Sequence, residues 1–550
     1  MARPEMYFHT LDYMLFLGLA LLAFWGLLAS TRFAVAFVLV GALAYFGAAW
    51  DGNYAVPIGA LLLLDLAGQE GTLRQRLQSY LSRGGAGRAM LLFVLSCAFY
   101  MAWQANYVWL ILASTCIDYF VGLGLSKAEA KGARRALLAL SLMGNLGMLF
   151  AFKYYNFFAE ELGAYLIESG MREEALPLLQ SVLPVGISFY TFQTLSYTID
   201  IYRGTLKPAR DFITFAAFVT YFPQLVAGPI VRASELLPQL HKRPRVTRHQ
   251  VSDGLFLIAT GLVKKLAIAD YLALGIVDRV FVEPEKFSAL EVVVALYAFT
   301  MQLYCDFSGY TDIARGSAKL MGYELPLNFD RPYQAANPAD FWRRWHMTLS
   351  RWLRDYLYFP LGGSRCSPPR AYFNLFLTMF LVGIWHGSSV NFEVFFWYAL
   401  LQSAAVVGHR FWRKRFPPKP APAETEKLLE RSRSAWMRTV LFVFLNLQFV
   451  VFSRILFRAG AETDPMATAS GLLDRLMTGN WSAIQVPLGM WTLLVATFVL
   501  HFIPRKHFDF AAVSFRRVPV IWKGVLLAGV AFLLIEVASR EAVPFQYFQF

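Results

Sequence analysis

The sequence predicts an all-α, polytopic membrane protein, on three observations. Of its 550 residues, 57% are hydrophobic and 16% aromatic while only 16% are charged, against roughly 25% charged in a soluble domain. Apolar runs near bilayer-crossing length recur along the chain. The Lys and Arg residues gather in short loops between those runs, the positive-inside arrangement of a membrane protein.

The runs fall at 11–29, 33–49, 54–67, 89–103, 107–125, 136–158, 182–202 and 211–228. They continue at 252–281, 288–305, 372–387, 391–409, 437–457, 486–503 and 520–538. Several are shorter than the about 20 residues of a spanning helix, so tilted, re-entrant or interior helices are expected among them. The first, Tyr13 to Ala29, lacks a basic flank before it and a small-residue cleavage site after it, and reads as a retained helix. Arg74, Arg76, Arg83 and Arg88 mark one cytoplasmic loop; Lys127, Lys131, Arg134 and Arg135 mark another, with a turn at Gln104-Ala105-Asn106 between them. The acidic connection with Glu160, Glu161, Glu168, Glu173 and Glu174 falls outside. The basic stretches 232–248 and 410–427 return inside. That parity makes 211–228, which ends in Pro223 and Gly228, a re-entrant candidate.

The formal net charge of +14 is the sum of those loops, and it suits anionic lipid headgroups rather than nucleic acid. Cys97, Cys116, Cys305 and Cys366 show neither metal-site nor disulfide spacing. No Gly-rich nucleotide loop, serine-hydrolase elbow or metal-ligand cluster stands out.

One stretch breaks from the apolar background. Residues 306–371 carry nine Lys/Arg and six Asp/Glu, too long for a turn and too rich in Trp and Tyr for disorder. Within it, Asn337-Pro338-Ala339-Asp340 has the cap, first-turn proline and N-terminal acid of a helix start. Beyond that start, Trp342, Trp345, His346, Leu349, Leu353, Tyr356 and Leu357 recur at three- and four-residue spacing and predict one continuous amphipathic helix. Arg344, Arg351, Arg354 and Asp355 fall mostly on the other side.

Two imidazoles are the candidate reactive groups. His386 closes the apolar run Leu375 to Trp385, and ionisable groups at membrane depth mark reaction centres or proton paths. A neutral imidazole suits a general base. His346 lies on the apolar side of the preceding helix, where a purely structural hydrogen bond is the competing explanation. Arg343, Arg344, Arg351 and Arg354 are positioned to bind the phosphates of an acyl carrier, or equally a belt of lipid headgroups. Trp345 and Trp385 flank the histidines as candidate substrate contacts.

The stretch Phe341-Trp342-Arg343-Arg344-Trp345-His346-Met347-Thr348-Leu349-Ser350, continued by Trp352-Leu353-Arg354-Asp355-Tyr356-Leu357-Tyr358-Phe359-Pro360, resembles the signature of membrane-bound O-acyltransferases (MBOAT). Gly383-Ile384-Trp385-His386-Gly387 resembles that family's catalytic-histidine motif. Leu225-Val226-Ala227-Gly228-Pro229, Asp306-Phe307-Ser308-Gly309-Tyr310 and the terminal Gln546-Tyr547-Phe548-Gln549-Phe550 agree. The likeness is greatest to the bacterial alginate O-acetyltransferase branch: the D-alanyl transferase branch shares the two histidines but is typically shorter, and the additional apolar segments 437–538 favour the former.

The resemblance implies a multi-helix bundle with a cytosolic funnel and re-entrant or interfacial helices, pinched where the histidines lie. It implies one integral domain over 1–550, with a catalytic core at 182–400, a cytosolic or interfacial motif region at 306–371, a cytoplasmic linker at 410–435 and C-terminal membrane helices at 437–550. It implies His386 and His346 as catalytic residues, the former activating the acceptor or carrying the acyl group, the latter orienting the thioester carbonyl or stabilising its oxyanion. It further implies acetyl-CoA or another acyl thioester as cytosolic donor substrate, no bound cofactor and no metal. The acetyl would cross a bacterial inner membrane to a periplasmic acetyltransferase and polysaccharide-synthesis machinery. D-alanyl transfer, or a transporter whose histidines relay protons, are the alternatives; paired inverted repeats, the mark of many transporters, are not seen.

Overall fold

In hydrocarbon the backbone must satisfy its own hydrogen bonds, and helices do so within a single segment. A computed structural model describes residues 10–29, 86–179, 183–226, 228–417, 433–481 and 486–537. The runs 33–49 and 54–67, the loop at Arg74 to Arg83, most of the 410–435 linker and the terminal Gln546 motif lie outside those residues. Among the described residues every regular element is helical.

In chain order the helices are α1 (Leu11–Ala29), α2 (Ala86–Gln104), α3 (Val108–Lys127), α4 (Lys131–Lys153), α5 (Tyr155–Glu168), α6 (Ile187–Tyr202), α7 (Phe212–Thr220), α8 (Ala233–His241) and α9 (Arg248–Leu262). There follow α10 (Ala289–Leu320), α11 (Pro338–Arg344), α12 (Met347–Leu353), α13 (Pro368–His386), α14 (Phe392–Arg415) and α15 (Arg433–Ala459). The last are α16 (Pro465–Thr478), α17 (Leu488–Phe502), α18 (Arg505–Arg517) and α19 (Val520–Val537).

Five helical runs among the described residues are long and apolar enough to cross a bilayer, or six if α17 and α18, bent by 93°, form one span. This is fewer than the apolar runs of the sequence, for a physical reason. The 16 residues of α6 are rich in Thr, Ser, Gln and Tyr, and α7 has only nine residues; both are almost wholly buried. They are interior helices. The run Gly87–Lys127 holds 41 residues, but its backbone leaves helical geometry at Gln104 and passes through a 3-10 turn at Ala105–Tyr107, where the turn was read. By contrast α10 runs 15 residues beyond the end expected at 305.

The chain divides into two compact units. The first comprises 1–152, 182–260 and 310–326. Here α2 packs along α7, and α3 along α6. A buried polar cluster fastens α3, α4 and α6. The Asp118 carboxylate accepts hydrogen bonds from the Ser141 hydroxyl, from Asn145 Nδ2 at 2.8 Å and from Thr198 Oγ1 at 2.7 Å. The Ser114 hydroxyl donates to Asn145 Oδ1 at 2.5 Å. Interhelical hydrogen bonds of this kind hold helices together where lipid supplies no hydrophobic drive.

The second unit comprises 153–181, 261–309 and 327–550. Its tightest pair is α13 and α14. A Cβ on Gly383 would sit 2.4 Å from the Ala399 Cα, so the two backbones meet because both positions are small. Helix α19 is the opposite case: Val520, Ile521, Phe532 and Ile535 are each more than 60% exposed, the surface of a lipid-facing helix. Past α9 the helix widens into a π-helical stretch, Val263–Asp270. Residues five apart diverge by about 140° in an α-helix, whereas i→i+5 bonding brings them onto one face. Lys265 and Asp270 meet in this way, with Nζ 2.7 Å from Asp270 Oδ1 and 3.0 Å from Asp306 Oδ1 of α10. All three residues are buried. Lys265→Met strands two carboxylates and is expected to cost about 3–5 kcal/mol. A thermal-unfolding midpoint in detergent that matches wild type would contradict this.

Candidate active site

His346 lies where the predicted amphipathic helix breaks. Asn337 caps α11 as expected, its Oδ1 accepting from Asp340 N at 2.9 Å. The helix then stops: Trp345 is extended, and His346 adopts the left-handed conformation at φ 44°, ψ 54°. A non-glycine residue is uncommon there. The segment 328–330 takes the backbone groups that a continuous helix would have used. Asp330 N donates to Arg344 O, and Met347 N to Asn328 O, each at 2.9 Å. One helix from 338 to 357 is therefore replaced by α11, α12 and a π-helical turn at Arg354–Tyr358. The intended face is nonetheless the buried one at Trp342, Trp345, His346, Leu349, Leu353 and Tyr356.

The His346 ring is held in one tautomer. Asn328 Oδ1 accepts from Thr348 N at 3.2 Å and from the Thr348 hydroxyl at 2.8 Å. A backbone N–H can only donate, so this atom is the amide oxygen and not the nitrogen. His346 Nδ1, 3.2 Å from the same oxygen, must then carry the proton, and Nε2 carries the lone pair. Burial lowers this imidazole to about 3, so the ring is neutral. A neutral ring in that tautomer accepts at Nε2. In that form Nε2 carries no proton.

His386 ends α13 and is 4% exposed. Its ring meets Trp385 at 4.8 Å and Phe457 of α15 at 5.4 Å, both edge-on. Gly387 lets Phe395 close over the turn, since a Cβ would come within 3.0 Å of it. Lys153, at the end of α4, is buried; its Nζ donates to the Trp385 carbonyl at 2.5 Å and sits 5.4 Å from the Trp385 ring centre. Lys153 and Arg454 are cations whose charge acts on the His386 imidazole.

Arg454 of α15 joins the two motifs. It is 2% exposed, with its guanidinium 5.1 Å over the Trp345 ring and 5.3 Å over that of Phe457. The hydroxyls of Tyr333 and Tyr398 lie against it. Trp345, Arg454, Phe457 and His386 thus form a chain of contacts from the first motif to the second. Stacking on aromatic faces suits a guanidinium far better than an ammonium.

The candidate phosphate-binding arginines lie elsewhere. Arg343 and Arg344 pair with Asp340, at 3.4 and 3.0 Å, and Arg354 pairs with Asp355 at 2.7 Å. Arg343 and Arg354 are exposed and Arg344 and Arg351 half-buried. Arg343 and Arg413 both act on His409 of α14, and Arg410 donates to the Tyr358 hydroxyl at 3.1 Å. A basic surface therefore surrounds the ends of α11 and α14. Trp345 and Trp385 are with the histidines; of the four arginines, Arg343 belongs to that surface.

Lys153, Asn328 and Arg454 were missed in the sequence. For Lys153 and Arg454 a signal existed, because each is a charge inside an apolar run. Asn328 sits in a short irregular segment without periodicity and left none.

The family model for MBOAT, the membrane-bound O-acyltransferase family, matches residues 205–453. The chain is 35% identical over 496 residues to the probable alginate O-acetylase AlgI of Pseudomonas putida, a span covering 86% of this chain and 96% of that protein. It is 42% identical over 320 residues to the protein of the same name from Pseudomonas aeruginosa, covering 58% of this chain and 60% of that one. A peptidoglycan O-acetyltransferase of Helicobacter pylori is 34% identical over 391 residues, 66% of this chain and 70% of the relative. With its apolar helices and its paired histidine motifs, the chain belongs to the membrane-bound O-acyltransferase family and is a multi-pass membrane acyltransferase.

Proposed function

We propose that this chain takes acetyl from a cytosolic thioester, acetyl-CoA, and passes it across a bacterial inner membrane for O-acetylation of an exopolysaccharide of the alginate type. The observation that carries the reading is the burial of two imidazoles on one contact chain through Trp345, Arg454 and Phe457. Likeness to the Pseudomonas alginate O-acetylases supports the acceptor class. Relatives that act on peptidoglycan make that polymer the second acceptor to test.

In this reading His386 takes the proton of the attacking hydroxyl, as an uncharged buried imidazole is fitted to do. His346, fixed by Asn328, accepts a hydrogen bond at Nε2 and orients the group entering beside His386. Trp345 and Trp385 bound the acyl position. Arg343, Arg344, Arg351 and Arg354 gather the donor's phosphates from the cytosolic side. A periplasmic transferase and polysaccharide-synthesis machinery complete the transfer.

Inverted membrane vesicles bearing the chain, given acetyl-labelled acetyl-CoA, test the proposal. Release of free thiol with uptake of label is the expected result. Label that moves without thioester cleavage would favour a transporter, and an inert thioester would refute the reading.

A further inference from the structure

Arg454 stands apart from its nearest arginine neighbour on the same helix. One turn on, Arg458 is neutralised by Asp278, at 2.8 Å from Nη2, and by Glu462 at Nη1. Arg454 is as deeply buried, yet among the described residues it makes no ion pair. Its Nε and Nη2 are buried without a hydrogen-bond partner among them. Leaving a buried cation uncompensated costs several kcal/mol, and leaving its donors unmet adds to that. Two adjacent N–H groups of one guanidinium form a planar fork that matches an anionic oxygen.

The geometry points to Arg454 as the oxyanion donor of acyl transfer, a role that rests on the thioester reading above and deepens it. The neutral His346 cannot supply that donor, since its one ring proton is committed to Asn328. The balanced step is as follows. The acceptor oxygen bonds to the thioester carbonyl carbon while its proton passes to the His386 imidazole. The carbonyl π pair moves to oxygen, giving an alkoxide held by Arg454 Nε–H and Nη2–H. The alkoxide then collapses, the C–S bond breaks, and the thiolate takes the proton back from His386. Ester and thiol are formed, and both imidazole and guanidinium end as they began. A fixed cation in a dry site is most effective on charge that appears only in the transition state.

The role predicts a split between turnover and binding. In vesicles with acetyl-CoA, Arg454→Met is expected to lower kcat by about 10²–10³-fold while KM for the thioester changes less than about threefold, because the contact forms only with the oxyanion. A kcat within about threefold of wild type, or a raised KM with kcat kept, overturns the assignment. Should the Met variant fail to accumulate in the membrane, Arg454→Lys decides, since it keeps the charge but not the fork. A folded Lys variant at least about tenfold slower supports the role, and one at wild-type kcat overturns it. An inactive wild type would instead refute the thioester reading itself, so the two failures are distinct.

Discussion

His386→Ala is expected to bring polymer acetylation to background while the protein accumulates normally in the membrane. General bases are worth about 10²–10⁴-fold, the loss expected when the His386 imidazole is removed. Lys153 binds the Trp385 carbonyl, and Arg454 carries a fixed positive charge. The ring lies against Trp385 and Phe457, so truncation opens a small void, and the helix pair beneath it is held by Gly383 and Ala399 rather than by the imidazole. Normal membrane levels are therefore part of the expectation. Acetylation of the polymer at more than a few per cent of wild type would remove His386 from the mechanism.

A second large effect is expected at His346, and Asn328 makes it separable from folding. His346→Ala should reduce acetyl transfer about 10²-fold or more. Asn328→Ala keeps the ring but frees its tautomer and withdraws the acceptor from Thr348. It should lower the rate by an intermediate factor, about tenfold, as orientation effects do. Equal losses in the two variants would mean that His346 serves only to shape the chain. Labelled acetyl incorporation, normalised to protein in the membrane, reads both.

The parts of this molecule written in local pattern were legible from its residues. The Asn337 cap, the buried face from Trp342 to Tyr356 and the isolation of His386 at the end of an apolar run each follow from neighbouring side chains. The break at Trp345 and His346 does not, because it is imposed by Asn328 and Asp330, which approach from outside the helical pattern. The amphipathic α18 was likewise missed: Arg505, Lys506 and Asp509 interrupt its apolar residues and disguise a helix that the 93° bend separates from α17. Arg454 was visible as a charge but its role was not. Only the fold shows that Trp345 and Phe457 stack on it and that no acid neutralises it among the described residues.

The contact of Gly383 with Ala399 carries a consequence for variation in this chain. Where two main chains touch directly, there is no side-chain play to absorb an added methyl, and the strain must be taken up by levering the helices apart. His386 sits three residues along, at the end of the lever. Alanine at 383, an inconspicuous exchange on most apolar surfaces, would displace a ring it never touches, so sensitivity to sequence change should extend well beyond the groups that bear protons or charge.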